Sequence, residues 1–449
     1  MTESHADADL ALLEDLIAKA KAQGAEAADA ILARGWSMSQ EMRHGKPETL
    51  ERAEGRDLGL RVLIGRRQAM VSTTDIGAEA LEALVERAVS MARVVPEDPY
   101  CGLAEPGQLA ASWPELDLLD PEEPAPEHLI AQARTCEAAA LAIEGVTNSN
   151  GATAAWGSSR ASLVGSNGFS GTYATSSHAV SCSVLAGEGL KMEADYDFTT
   201  AVFGSDLEDA ATVGRRAGER AVRRLNPRRP KTGKYPVVFD PRISGGLLRS
   251  LAGAINGASV ARGTSFLKDK LGERIFAEGI TIHEDPHRRR GLRSRPFDAE
   301  GLPNAPRRLI DEGRLTTWLL DLSTARQLGL QSTGHATRGV SGPPSPSAAN
   351  LYMAPGTVSR DDLIGDIEQG FYVTELMGQG VNMVTGDYSR GAAGFWIEKG
   401  ELAYPVSEAT VAGNLKQMFA QLTPADDLVF RTSVDAPTLR IDGMTVAGN

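Results

Sequence analysis

His283, Glu284, Asp285, Pro286 and His287 spell H-E-x-x-H. In that pattern a helix sets two imidazoles one turn apart on zinc, with a glutamate beside the metal-bound water. Such a site activates water for peptide hydrolysis, but only on helical backbone. Pro286 lacks the N–H that a helix interior needs, and its ring clashes with the carbonyl four residues back. The penalty is about 3 kcal/mol unless the proline lies in the first turn. Residues 279–283 alternate as a strand does, so no early helical start protects it. No third ligand stands at a defined spacing. The expectation is a strand running into a proline turn, with an independent zinc peptidase on His283, Glu284 and His287 as the competing reading.

Other constellations are weaker. Arg288, Arg289 and Arg290, with Arg293 and Arg295, can hold phosphate, or can lie in a solvated loop or a charged subunit interface. The net charge of −13 and the lack of interleaved aromatics favour the loop or interface over nucleic acid. His5, His44, His128, His178 and His335 have no ligand spacing and read as structural. Cys101, Cys136 and Cys182 are an odd number without a close pair, which argues against a disulfide scaffold and a C-x-x-C metal site. Neither G-x-S-x-G nor G-x-x-x-x-G-K-[ST] occurs. Residues 343–347, Pro-Pro-Ser-Pro-Ser, read as a stiff loop, with peptide docking or lid behaviour as the alternative. The glycine-rich runs 332–339 and 385–396 either shape turns or let a backbone approach a ligand or another chain.

These residues need elements to position them. Leu10, Leu13, Leu16, Ile17 and Ala20 recur at helical spacing over 9–23, and Gly24 is a stop. Strand character follows over 27–45, then a hairpin over 58–74 around Gly65 and Arg66, then a helix over 78–94. A proline-punctuated loop, 96–126, separates this first α+β domain, 1–95, from a central region, 127–233. That region has helices over 127–143 and 207–225 around antiparallel strands within 145–203. The third unit, 234–449, opens with a strand at 235–240 and a helix over 243–260, then mixes short strands with glycine turns. Helices and strands do not alternate regularly. The fold class is α+β with mainly antiparallel sheets and a β-rich C-terminal domain.

With 449 residues, 42% hydrophobic and 23% charged, the chain can build more than one core and lacks any apolar run of membrane-spanning length. Its polar, acidic first ten residues do not read as a secretion signal, so the expectation is a cytoplasmic protein without membrane or direct nucleic-acid partners.

Four segments carry a family resemblance that covers nearly the whole chain. They are residues 61–69 (Arg-Val-Leu-Ile-Gly-Arg-Arg-Gln-Ala), 263–266 (Gly-Thr-Ser-Phe), 297–301 (Phe-Asp-Ala-Glu-Gly) and 385–391 (Thr-Gly-Asp-Tyr-Ser-Arg-Gly). The sequence resembles the TldD/PmbA family of metallopeptidase-related proteins, also named modulators of DNA gyrase, and within it the PmbA, or TldE, branch. The resemblance implies that two related chains pair, the TldD-type chain binding zinc through an H-E-x-x-x-H helix and a late cysteine. The matching positions here hold Arg249, Ser250 and Ala254, and no cysteine follows Cys182. Arginine lends no lone pair to zinc and serine cannot serve as the base.

The resemblance therefore implies a subunit without catalytic residues, metal or other cofactor of its own, with zinc expected in a TldD-type partner. The pair would be a heterodimer, with a homodimer as the alternative form, acting in proteolysis of peptides and partly unfolded proteins. Arg249, Thr333, Gly334, Arg338, Tyr388 and Arg390 are the expected substrate or interface contacts. A rival from another class is a non-hydrolytic binding or regulatory protein acting on DNA gyrase.

Overall fold

The computed structural model describes residues 3–448, so the outermost limits of the expected domains, at 1 and 449, lie outside the described residues. α1 (Glu3–Ala22) leads into three antiparallel strands, β1 (Ala27–Arg43), β2 (Lys46–Ile64) and β3 (Arg67–Thr73), followed by α2 (Ala78–Val94). After the loop come α3 (Pro126–Leu141), the strands β4 (Val146–Gly165), β5 (Ser170–Ala186) and β6 (Glu193–Ala201), and α4 (Ala210–Arg223). The two sets of strands join in one sheet of order β3-β2-β1-β4-β5-β6. The seam is a 14-residue antiparallel register running from Asp29 opposite Gly165 to Met42 opposite Ala152. Segments 1–95 and 127–233 thus bring their own helices to a shared sheet.

The helices cover one face in two packets. Leu13 and Leu16 of α1 and Leu84 and Val85 of α2 pack on Leu58, Leu60 and Leu32, because the 3.6-residue and two-residue periods both place apolar residues on the facing surface. Leu129 and Cys136 of α3 and Val213 and Ala217 of α4 pack on Met38, Ala154 and Val180. The second pair of helices lies very close. A Cβ on Gly214 would stand 1.8 Å from the Cys136 carbonyl oxygen, so only glycine fits.

β2 is far longer than its apolar hairpin pattern suggests. Residues 46–57 are exposed throughout, and β3 pairs only with 58–64, so among the described residues the outer edge of 46–57 carries no neighbouring strand. This half has no apolar alternation to read; its pairing with β1 alone makes it a strand.

β7 (Gly233–Phe239) and α5 (Pro241–Ala254) open the C-terminal part, then α6 (Gly257–Ala261), β8 (Ile282–Asp285), β9 (Arg307–Asp311), β10 (Arg314–Leu315) and α7 (Leu322–Leu328). The expected single helix over 243–260 is two helices. The chain breaks at Ile255, and the Asn256 side chain accepts from Ala258 N to cap a new start. The remainder is β11 (Ala336–Thr337), β12 (Ser345–Pro346), β13 (Asn350–Met353), α8 (Arg360–Gly365), β14 (Gln369–Met377), β15 (Asp387–Glu398), β16 (Glu401–Asn414), α9 (Leu415–Gln421), β17 (Leu422–Pro424), β18 (Val434–Asp435) and β19 (Leu439–Ala447).

One sheet orders β16-β15-β14-β7-β19-β17, and β19 also pairs with β16, closing five strands into a ring. A second sheet orders β10-β9-β8-β13-β18. Phe239, Phe371, Phe419, Leu248 and Leu251 are fully or almost fully buried in the core they share. The fold is α+β with mainly antiparallel sheets, as its pattern of elements suggests.

Candidate functional site

The H-E-x-x-H string begins on β8 and runs into the turn at Pro286 and His287; β8 is antiparallel to β13 with His283 opposite Tyr352 and Glu284 opposite Leu351. On a strand consecutive side chains leave opposite faces, so His283 and Glu284 point apart. The His283 ring stacks on Tyr352, with centroids 4.9 Å apart and planes at 13°. Glu284, 1% exposed, turns inward, accepting from Ala349 N at 2.7 Å and facing His335 Nε2 at 3.3 Å. His335 Nδ1 in turn meets Thr333 Oγ1 at 2.8 Å. The Asp285 carboxylate accepts from His287 N at 2.8 Å, forming the turn around Pro286, and His287 Nε2 meets Asn304 Oδ1 at 2.6 Å. The backbone is extended and the three side chains diverge. The independent zinc-peptidase reading is removed.

The helix singled out by family resemblance is α5. Pro241 at its first turn and the Asp240 side chain accepting from Arg242 N start it, and Leu247, Leu248 and Leu251 anchor it. Arg249 is exposed and makes no hydrogen bond or ion pair among the described residues. Ser250 Oγ donates to the Gly246 carbonyl at 3.1 Å, and Ala254 is fully buried. Gly253 faces the 378–386 loop, where a Cβ would come 3.2 Å from Met383 Cε. That loop is tucked tightly on β15: a Cβ on Gly380 would lie 1.5 Å from the Ser389 carbonyl oxygen. Tyr388 and Arg390 follow on one face of β15. Burial pushes the Tyr388 hydroxyl up to about 12, with Arg390 opposing the rise, and Arg390 Nη2 donates to the Leu376 carbonyl at 3.3 Å.

Of the six expected contacts, Tyr388 and Arg390 are therefore adjacent, and the loop before them touches the helix of Arg249. Thr333, Gly334 and Arg338 have internal partners instead. Thr333 Oγ1 accepts from Leu320 N at 2.8 Å. Gly334 has φ 73°, and a Cβ there would lie 2.5 Å from the Pro303 carbonyl oxygen. The Arg338 side chain is fully buried where the C-terminal part meets the first sheet, its Nη1 donating to Asp29 Oδ1 at 2.5 Å.

Arg61 also pairs with Asp29, both being almost completely buried. Although burial opposes ionisation of Asp29, the two guanidinium groups hold its carboxyl below the usual range. Beside them, burial pushes Asp298 up to about 6, against donations from the backbone N–H groups of Glu300, Leu302 and Ala336. Burial, and then the Asp298 charge, push Glu300 up to about 8. Sequence reading missed this cluster because its members are scattered; the only signal was charge at inward positions of apolar strands, Asp29 and Arg61.

The donor set does not fit zinc. Among the described residues no three His, Cys, Asp or Glu side chains gather as a metal site requires, and the α5 positions offer a guanidinium, a hydroxyl bonded to its own helix and a methyl group.

Sequence profiles match the chain in order: PmbA/TldA metallopeptidase domain 1 at residues 28–92, the central domain at 119–225 and the C-terminal domain at 232–448. Metalloprotease PmbA of Escherichia coli O157:H7 is 38% identical over 441 residues, covering 96% of this chain and 94% of that protein. The Metalloprotease PmbA homolog of Haemophilus influenzae is 35% identical, covering 90% and 88%. A crystal structure from Bacteroides thetaiotaomicron, named for modulation of DNA gyrase, superposes with a TM-score of 0.90 at 29% identity over 98% of each chain. TldE from Thermococcus kodakarensis shares the fold, with a TM-score of 0.86 at 22% identity over 97% of this chain and 100% of that one.

Proposed function

We propose, from the premise that the chain belongs to the PmbA/TldD metallopeptidase family, that it is the non-hydrolysing subunit of a two-chain peptidase. The observation that carries this reading is the state of α5, where Arg249, Ser250 and Ala254 occupy the positions at which resemblance puts His, Glu and His. Zinc and the hydrolytic step belong to a TldD-type partner. This subunit completes the complex and holds peptides or partly unfolded proteins in the cytoplasm.

Two features support a holding role. The open edge of β2 at 46–57 offers unpaired backbone groups for strand addition. Arg249 presents an unpaired cation beside the 378–386 loop, suited to a peptide carbonyl or carboxylate.

The test is to purify this chain, a TldD-type chain and the pair, then measure zinc per chain and hydrolysis of a fluorogenic peptide. Zinc and activity are expected to follow the TldD-type chain, with this chain changing turnover or KM. One zinc per lone chain together with peptide hydrolysis overturns the proposal.

A further inference from the structure

Between the two helix packets on the first sheet a cavity of about 530 Å³ opens, lined by Trp36, Trp156, Ser158 and Arg160. That volume suits a small organic ligand. Residues 156, 158 and 160 alternate along β4 and so project from one face. All three are buried, with Trp156 and Ser158 each 8% exposed and Arg160 7%. Trp156 Nε1 and Ser158 Oγ have no hydrogen-bond partner. Arg160 has no hydrogen bond or ion pair among the described residues either. Buried donors are ordinarily satisfied, so the two enclosed orphans, Trp156 Nε1 and Ser158 Oγ, in one row with the unpaired Arg160 guanidinium mark a place for an acceptor-rich group.

The neighbouring charges narrow its chemistry. Arg160 lies directly opposite Arg34 across β1 and β4, an unfavourable like-charge pairing. Arg34 is answered by Asp9, through contacts of 2.6–3.0 Å, and Arg160 by nothing. Glu54, Asp120 and Glu123 stand around the cavity. A single free guanidinium among three acids suits a monoanion better than a dianion, and two indoles suit a flat apolar body.

We propose that this cavity binds a small monocarboxylate with an aromatic or flat apolar body, its carboxylate on Arg160 with Ser158 and Trp156 as further donors. The site shares no residue with α5, and only Glu54 with the open edge of β2.

The test is calorimetric titration and tryptophan fluorescence of the full chain with phenylacetate, indole-3-acetate, phenylacetamide and inorganic phosphate. At least one of the two carboxylates is expected to bind saturably below about 10 mM. Phenylacetamide and phosphate are expected to bind about tenfold more weakly or not at all. Arg160→Gln should lower carboxylate affinity about tenfold or more, and Ser158→Ala a few-fold. Because Arg160 has no partner to lose, the Arg160→Gln chain should melt at or above the wild-type temperature. No saturable carboxylate binding, an amide or phosphate that binds as tightly, unchanged affinity in Arg160→Gln, or a lowered melting temperature in that variant overturns the proposal.

Discussion

β8 has the letters of a metal site on the wrong backbone, whereas α5 has the backbone without the letters. On β8 His283 stacks on Tyr352 and Glu284 is taken by Ala349 N and faces His335, while His287, in the turn that follows, bonds to Asn304. On α5, Arg249 stands in solvent without a partner. The difference teaches that a ligand motif is a statement about geometry. One proline and a strand register cancel H-E-x-x-H, while a helix in the expected place keeps its shape through Leu247, Leu248 and Leu251. The polar groups of β8 are therefore held by internal partners, whereas Arg249 on α5 has none among the described residues.

Substitutions can break that contrast. The largest effect is expected at Glu284. Removing its carboxylate in Glu284→Ala orphans the buried Ala349 N–H and leaves His335 Nε2 without its facing carboxylate, and should cost about 3 kcal/mol in denaturant unfolding. His283→Ala should cost about 1 kcal/mol or less, through lost stacking on Tyr352, and leave metal content unchanged. Equal effects would mean that the two residues act as one site.

A further effect concerns pH in the buried cluster of Glu300, Asp298 and Arg61. Glu300 ionises near 4.5 when unfolded and is raised to about 8 in the fold, so folding takes up a proton between these values. Its contribution is fully present below pH 4.5 and is lost as pH rises towards about 8. The loss should be on the order of a few kcal/mol, and Glu300→Gln should flatten it, because an amide oxygen can still accept from Leu322 N. A wild-type stability that rises across this range would contradict the assignment. The smallest effect is expected at Arg249→Ala, where stability should change by no more than about 0.5 kcal/mol and only peptide KM in the two-chain complex should move.

Much of this was legible in the sequence. The helices over 78–94 and 127–143 are observed as Ala78–Val94 and Pro126–Leu141, because their apolar spacing reports a face buried locally. The proline argument also gives a strand running into a proline turn, and β8 ends at Asp285 with Pro286 and His287 in the turn. Long-range pairing was illegible. Nothing near Met42 says that it lies opposite Ala152, and Arg338 meets Asp29 from 309 positions away. A glycine-rich run containing Arg338 reads the same whether its arginine enters solvent or a buried pair. The break at Ile255 was hidden too, since small residues continue on both sides and only the cap at Asn256 marks it.

The outer half of β2 carries a further consequence, for colloidal behaviour. Twelve exposed residues with an unpaired edge are a template on which identical chains can stack, and the usual safeguard is charge. Here Lys46, Glu48, Glu51, Arg52, Glu54, Arg56 and Asp57 interrupt the strand with both signs, and Leu50 is its one large exposed apolar residue. These residues act as gatekeepers: they discourage fibrillar self-assembly while leaving the edge open to a strand whose own charges fit.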